Sequence, residues 1–196
     1  MIRLLDIVFS SVGLLILSPF LLLIALCVAL TSKGGVLYRQ ERVGRYGAPF
    51  RLYKFRTMRA GSDKKGLLTV GGRDPRITPV GFVLRKLKLD ELPQLYNVLK
   101  GDMSLVGPRP EVEKYTRLYT EEQQEVLRVR PGITDPASIY YRNESDVLAR
   151  SSNPELTYIR EILPHKLQLS RQFYHNPTLG KYFKYIFLTV FAVLRK

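Results

Sequence analysis

The sequence predicts an α+β chain, mostly helical, with an N-terminal membrane helix, a small β-hairpin and further helices behind it. Three observations predict this. Ile7 to Leu30 runs for 24 residues without a charge, against about 20 needed to cross a bilayer. Val36–Gln40 and Phe50–Phe55 are rich in aromatic and branched residues and flank Gly44 and Gly47, the pattern of two strands and a turn. Thr78-Pro79 and Asn153-Pro154 each set a capping side chain before a first-turn proline, the preferred start of a helix. A chain of 196 residues is one domain, or one domain plus an anchor. The division expected is 1–32 for the membrane element and 33–196 for the rest.

The apolar run is too long for a cleavable signal, and Thr31-Ser32-Lys33 is not a small-x-small cleavage site. It is broken at its centre by Ser18-Pro19. Pro19 removes one backbone hydrogen bond, and Ser18 is placed to satisfy the freed carbonyl. Two geometries follow: a kinked helix that spans, or a sharp bend that returns the chain to the face it entered from. Arg3 stands on one side and Lys33, Arg39 and Arg42 on the other, and basic residues at both ends suit a hairpin.

The formal net charge is +14, which implies a polyanionic partner: nucleic acid, anionic lipid or a phosphorylated substrate. Lys33 to Lys88 holds fifteen Lys and Arg against three acids, Glu41, Asp63 and Asp74. Part of that charge is accounted for by anionic headgroups beside the membrane segment. A nucleic-acid partner is not favoured, because no helix-turn-helix, RNP or zinc-finger pattern accompanies the charge. The single Cys27 excludes an internal disulfide and a Cys-based zinc site, and His165 and His175 make a poor metal pair.

Lys54-Phe55-Arg56 closes the second strand with two cations around an aromatic. Gly61–Pro75 reads as a loop. The helix beginning at Thr78-Pro79 carries Phe82, Val83, Arg85 and Leu87 to a break at Asp90. Pro93 cannot lie deep in a continuous helix, so a new helix is expected with Asp90 as N-cap and Glu91 as its first residue. Free N–H groups and the helix dipole there favour a carboxylate or a bound phosphate. A plain helix cap is the competing reading. Leu92, Leu95, Tyr96, Val98 and Leu99 give this helix an apolar face, and Gly101 ends it. In Pro108-Arg109-Pro110 two prolines fix the backbone around one arginine. That arrangement suits a guanidinium that must meet a phosphate bidentately, with a tight surface turn as the alternative.

Arg39-Gln40-Glu41-Arg42-Val43-Gly44, Lys54-Phe55-Arg56-Thr57-Met58, Leu89-Asp90-Glu91-Leu92-Pro93-Gln94, Gly101 through Pro110 and Arg130-Pro131-Gly132-Ile133-Thr134 follow in an order that resembles the bacterial sugar transferase family, the small monotopic phosphoglycosyl transferases. The resemblance runs from about Ile2 to Thr134. It implies transfer of a sugar 1-phosphate from a UDP-sugar to polyprenyl (undecaprenyl) phosphate, with Mg²⁺, at the cytoplasmic face of the bacterial inner membrane. This is the first membrane step of glycoconjugate assembly. It also implies that the Ser18-Pro19 break makes a re-entrant membrane helix-hairpin. On that resemblance Asp90 attacks the β-phosphate, UMP leaves, and polyprenyl phosphate takes the sugar phosphate from Asp90. Lys54, Arg56, Arg85 and Arg109 are the expected phosphate ligands, and Asp90 and Glu91 the expected metal site. The partners expected are the two substrates and membrane lipids, not nucleic acid, with a homodimer left open. Two rivals stand beside this: a membrane-anchored basic binding module, and a metal-dependent lipid-diphosphate hydrolase.

After Thr134 many family members continue with a Gly-x-Ala-Gln type of segment, where this chain has Asp135-Pro136-Ala137-Ser138-Ile139 and then Arg142-Asn143-Glu144. The small size resembles the branch that handles acetamido sugars. Tyr115–Val129 reads as a polar, solvated helix, Arg130-Pro131-Gly132 as a turn, and Asn153-Pro154 as the start of a helix stopping near Pro164. Tyr182–Leu194 is apolar apart from Lys184 and Thr189 and too short to span. It reads as an interfacial amphipathic helix over about 181–196, with a core helix as the alternative.

Overall fold

The computed structural model describes residues 1–62, 66–72 and 74–195. Helix α1 (Ile2–Thr31) is 30 residues long. It passes through Ser18-Pro19 as one helix, so the break is a proline inside α1 and not a separate turn. Pro19 offers no N–H to the carbonyl of Leu15, and Ser18 Oγ donates to that carbonyl at 2.8 Å instead. The rest of the chain touches α1 near both ends. Arg3, expected as a flanking charge, donates to the carbonyls of Val98 and Leu99 at 2.5 and 2.9 Å. Asp6 is buried. In the second half Ile24 and Val28 pack with Phe55 and Leu84. Other positions are bare: Leu15, Ile16, Leu22 and Leu30 are each at least 70% exposed.

Strands β1 (Leu37–Val43) and β2 (Pro49–Phe55) form the expected antiparallel hairpin, with Leu37 opposite Phe55 and Val43 opposite Pro49. The Gly61–Pro75 stretch is mostly turns and bends where described, apart from a 3₁₀ residue at Ser62; Asp63, Lys64, Lys65 and Arg73 lie outside the described residues. Helix α2 (Pro79–Lys86) starts as predicted, with Thr78 Oγ1 accepting from the Gly81 N–H at 3.0 Å. A Cβ on Gly81 would stand 2.1 Å from the Thr57 carbonyl oxygen. Glycine therefore lets α2 sit directly on the end of β2.

The helix expected to begin at Asp90 begins later. Lys88 turns the chain in the left-handed region at φ 57°. A 3₁₀ turn spans Leu89–Glu91, and only then does α3 (Gln94–Lys100) follow, behind Pro93. Asp90 is therefore not an N-cap. The cause is Pro93, which has no N–H to return to Leu89. The turn closes on i→i−3 bonds instead, such as Leu92 N–H to the Leu89 carbonyl at 3.3 Å. Helix α3 ends at Gly101 as predicted. Its buried Asn97 accepts from the Tyr53 N–H at 3.0 Å and donates to the Arg51 carbonyl at 2.8 Å, which clamps α3 to β2.

The Arg130-Pro131-Gly132 turn leads straight into a strand. β4 (Gly132–Thr134) lies parallel to β3 (Ser104–Val106). The two chains cross where a Cβ on Gly132 would fall 2.1 Å from the Gly107 nitrogen, so this crossing admits only glycine.

The solvated helix expected over Tyr115–Val129 is instead three short turns: α4 (Glu113–Thr116), α5 (Glu121–Gln124) and a 3₁₀ turn Glu125–Arg128. Thr120 and Gln123 form a capping box that restarts the helix. Tyr115, Tyr119 and Val126 turn inward, into the main apolar core with Leu148, Tyr158 and Ile162. Helices α6 (Pro136–Tyr140) and α7 (Glu144–Ala149) follow. Helix α8 (Pro154–Thr157) opens at Asn153 as predicted, but the helical course does not stop at Pro164. A π turn, Tyr158–Ile162, carries it into α9 (Leu163–Tyr174). The wider turn falls just before the residue that lacks an N–H.

Helix α10 (Leu179–Leu194) buries Tyr182 and exposes Phe183, Phe187, Val190 and Phe191. The Phe9 and Phe183 rings meet edge to face with centroids 6.2 Å apart. The bare apolar surface of α1 thus continues onto α10. Asp6 Oδ1 joins the two, accepting from Tyr182 Oη at 2.9 Å, Ser104 Oγ at 3.0 Å and the Leu105 N–H at 3.0 Å. Lys196 lies outside the described residues.

Candidate active site

The hairpin, α2, the 3₁₀ turn and the Pro108-Arg109-Pro110 loop converge on one open cleft of about 290 Å³. Lys54, Arg56, Arg85, Asp90, Glu91 and Arg109 all line it, although they come from four separate segments of the chain. Ser18 and Pro19 stand apart from it, on α1.

The two adjacent acids have opposite surroundings. Glu91 is held by two cations. Arg109 grips it with Nη2 to Oε1 at 2.5 Å and Nη1 to Oε2 at 3.2 Å, and Lys54 Nζ reaches Oε1 at 3.1 Å. Burial alone would raise its pKa, but Arg109 and Lys54 together pull it well below the ordinary carboxylate range. Asp90 is 6% exposed, and among the described residues no side chain hydrogen-bonds to its carboxylate. Burial first, and the Glu91 charge second, push its pKa up; Lys54, Arg85 and Lys88 oppose this. Burial also pulls the Lys54 ammonium down, against the pull of Glu91.

The loops that carry the cations are braced from behind. Arg42 on β1 donates to the Pro110 carbonyl at 3.0 Å and pairs with Glu111 at 3.3 Å, and the Val43 N–H donates to the Glu111 carbonyl at 2.8 Å. Together with the glycine crossing below it, this fixes the loop that presents Arg109. Arg85 donates to Thr69 Oγ1 at 2.8 Å. Arg56 faces the cleft less directly, since its Nε is turned to the Gly35 carbonyl at 2.7 Å.

Arg109 was expected as a phosphate ligand, and its guanidinium is committed to Glu91 in this structure. Lys88 was not singled out from the sequence. Its left-handed backbone brings its charge to bear on both acids. The far wall, from Ser138 to Lys166, was missed as well. The signal for it was weak: a polar stretch after Thr134 with no motif of its own. Among the described residues no group of three or more His, Cys, Asp and Glu stands together as a ready-made metal cage. Of the two acids expected at a metal, Glu91 has its oxygens taken by cations, and Asp90 keeps its lone pairs open to the cleft.

Residues 1–196 match the protein family described as bacterial sugar transferase. The chain belongs to that family. The match continues past Thr134, where the motifs read from the sequence ended. Among curated proteins, this sugar transferase is 42% identical over 163 residues to the Escherichia coli UDP-glucose:undecaprenyl-phosphate glucose-1-phosphate transferase, covering 80% of this chain and 35% of that one. It is 41% identical over 144 residues to an Aeromonas hydrophila UDP-N-acetylgalactosamine-undecaprenyl-phosphate N-acetylgalactosaminephosphotransferase, covering 72% and 34%. It is 41% identical over 160 residues to the exopolysaccharide production protein ExoY of Rhizobium meliloti, covering 74% and 71%. The chain thus spans about a third of the length of the first two relatives.

Proposed function

We propose that this sugar transferase moves a sugar 1-phosphate from a UDP-sugar to polyprenyl phosphate and releases UMP. The observation that carries the reading is Asp90: a buried carboxylate with no hydrogen-bonding partner among the described residues, opening on a cleft lined by Lys54, Arg85, Lys88 and Arg109. A carboxylate left without partners at such a site is available to form a bond. In the first step an Asp90 oxygen attacks the β-phosphorus. The bond to the bridging oxygen breaks, and UMP leaves with that oxygen. In the second step an oxygen of polyprenyl phosphate attacks the same phosphorus and the Asp90 carboxylate departs. Both steps crowd anions together, and the four cations offset the repulsion.

One hard carboxylate beside substrate phosphates is a donor set that suits Mg²⁺, so Asp90 would hold the ion together with diphosphate oxygens. When bound, it neutralises charge on the diphosphate and on the departing phosphate. Glu91 anchors Arg109 and Lys54 in the cleft and yields them as a diphosphate arrives.

At the membrane, α1 is read as re-entrant, with both ends at the cytoplasmic face of the inner membrane. The support is that both its halves pack on the same body, through Asp6 and through Ile24 and Val28, while Leu15 and Ile16 near the middle stand bare. The thirty residues of α1 would extend about 45 Å as a straight helix, so re-entry requires a bend at Pro19. The exposed side of α10 then rests at the same interface. An acetamido sugar is our reading of the glycosyl group, with support from the Aeromonas relative named for UDP-N-acetylgalactosamine; UDP-glucose is the competing donor.

The test is UMP release across a panel of UDP-sugars, with and without polyprenyl phosphate. After trapping with UDP-sugar alone, Asp90 is expected to carry the mass of a sugar phosphate. Release of free sugar phosphate to water without the lipid acceptor would overturn the reading in favour of a hydrolase.

A further inference from the structure

The cleft has two chemically different walls. One is the cationic wall from Lys54 to Arg109. The other comes from the C-terminal third and holds a charged pair. Lys166 on α9 is 8% exposed and donates to Glu144 Oε2 at 2.8 Å and to the Tyr158 hydroxyl at 3.4 Å. Its ammonium also lies 5.2 Å from the centre of the Tyr158 ring. Glu144 stands at the start of α7, its side chain 28% exposed. Both residues line the cleft.

Lys166 is buried while Glu144 is only partly so, and holding a buried ammonium this way has a weak stability rationale, because apolar groups of the same size do as well or better in an interior. The chemistry of the pair is better matched to a ligand. Oε2 of Glu144 is taken by Lys166, and Oε1 has no hydrogen-bonding partner among the described residues. A phosphate is the wrong occupant, since the carboxylate would repel it. Neutral donors are the right one: a carboxylate accepts well from adjacent hydroxyls.

We propose that Glu144 is a specificity-determining residue that accepts hydrogen bonds from the hydroxyls of the glycosyl group, and that Lys166 is the positioning residue that fixes its carboxylate. This rests on the transferase reading. The ribose of the nucleotide offers the same vicinal-diol chemistry. The glycosyl group is favoured by distance along the substrate, as it is joined to the attacked β-phosphate through one oxygen, whereas the ribose lies beyond the α-phosphate. Glu144, Asp90 and Arg109 line the same cleft.

The experiment is calorimetric binding to the detergent-solubilised full chain of UMP, UDP-glucose, UDP-galactose, UDP-N-acetylglucosamine and UDP-N-acetylgalactosamine. Glu144→Gln is expected to flatten discrimination among the four sugars by about tenfold and to leave UMP affinity within about twofold. Lys166→Met is expected to do the same, and Lys166→Arg to restore discrimination. The exchanged pair Glu144→Lys with Lys166→Glu keeps an ion pair. It is expected to recover thermal stability without recovering discrimination, and it carries the test if Glu144→Gln does not fold. An equal loss of affinity for UMP and all four sugars would move the contact to the ribose and overturn the proposal. Unchanged ratios, full recovery by the exchanged pair, or a wild type that does not discriminate would overturn it too. A wild type that binds and discriminates yet releases no UMP from any of them would instead count against the transferase reading alone.

Discussion

Glu91 and Arg109 are joined by a two-pronged contact, Nη2 to Oε1 at 2.5 Å and Nη1 to Oε2 at 3.2 Å, with Lys54 completing the cluster at 3.1 Å. Glu91→Gln leaves two partly buried cations without their counter-charge. The expected loss of stability is about 3 kcal/mol, read by chemical denaturation. The pH dependence has a definite sign. The pKa of Glu91 is depressed in the folded chain, so its contribution is fully present above the ordinary value of 4.5. It is lost as pH falls through the lower folded value. In the variant this part of the acid destabilisation is absent.

Asp90→Asn is expected to reduce UMP release by at least about a thousandfold, the scale for loss of a covalent nucleophile. The same change is expected to stabilise the fold by about 1 kcal/mol, since it removes a buried charge beside Glu91. Turnover and denaturation measured on one preparation check both. A variant that is inactive and also less stable would mean that Asp90 is structural.

The pH–rate profile follows from the raised pKa of Asp90. The ionised form attacks, so kcat/KM should climb as pH rises through a midpoint above the ordinary carboxylate value of 3.8. Burial is the first cause of that shift and Glu91 the second. Glu91→Gln should therefore move the midpoint down without returning it to 3.8.

Gly132→Ala places a methyl group 2.1 Å from the Gly107 nitrogen. The β3–β4 crossing must open, and the Arg109 loop moves with it. The expected cost is about 3 kcal/mol or more, with a loss of activity that Mg²⁺ does not rescue. Thermal unfolding and UMP release check it.

Topology is tested with single cysteines at Leu4 and Lys33 in a Cys27→Ala background. Both should react with an impermeant thiol reagent from the same side of sealed vesicles. Labelling from opposite sides would refute re-entry.

Local rules were legible in the sequence. Thr78 caps α2, Ser18 answers the carbonyl freed by Pro19, and Gly101 ends α3, each because one side chain or one missing N–H decides the matter. The cationic site was legible too, since proline and charge mark it along the chain. What stayed hidden depends on partners far away in sequence. The parallel pairing of β3 with β4 spans two strands of three residues, too short to show a period. Tyr115 and Tyr119 lie among glutamates, and only the packed core shows that they point inward. Glu144 and Lys166 sit in separate helices, and nothing local announces that they meet.

Asp6 and Tyr182 are 176 residues apart and share one hydrogen bond. Helix α1 thus gains part of its permanent seat only from a segment made long after it. Until Tyr182 is in place, Asp6 can meet the Ser104 hydroxyl and the Leu105 N–H but lacks the tyrosine, so the seat of α1 closes in two stages.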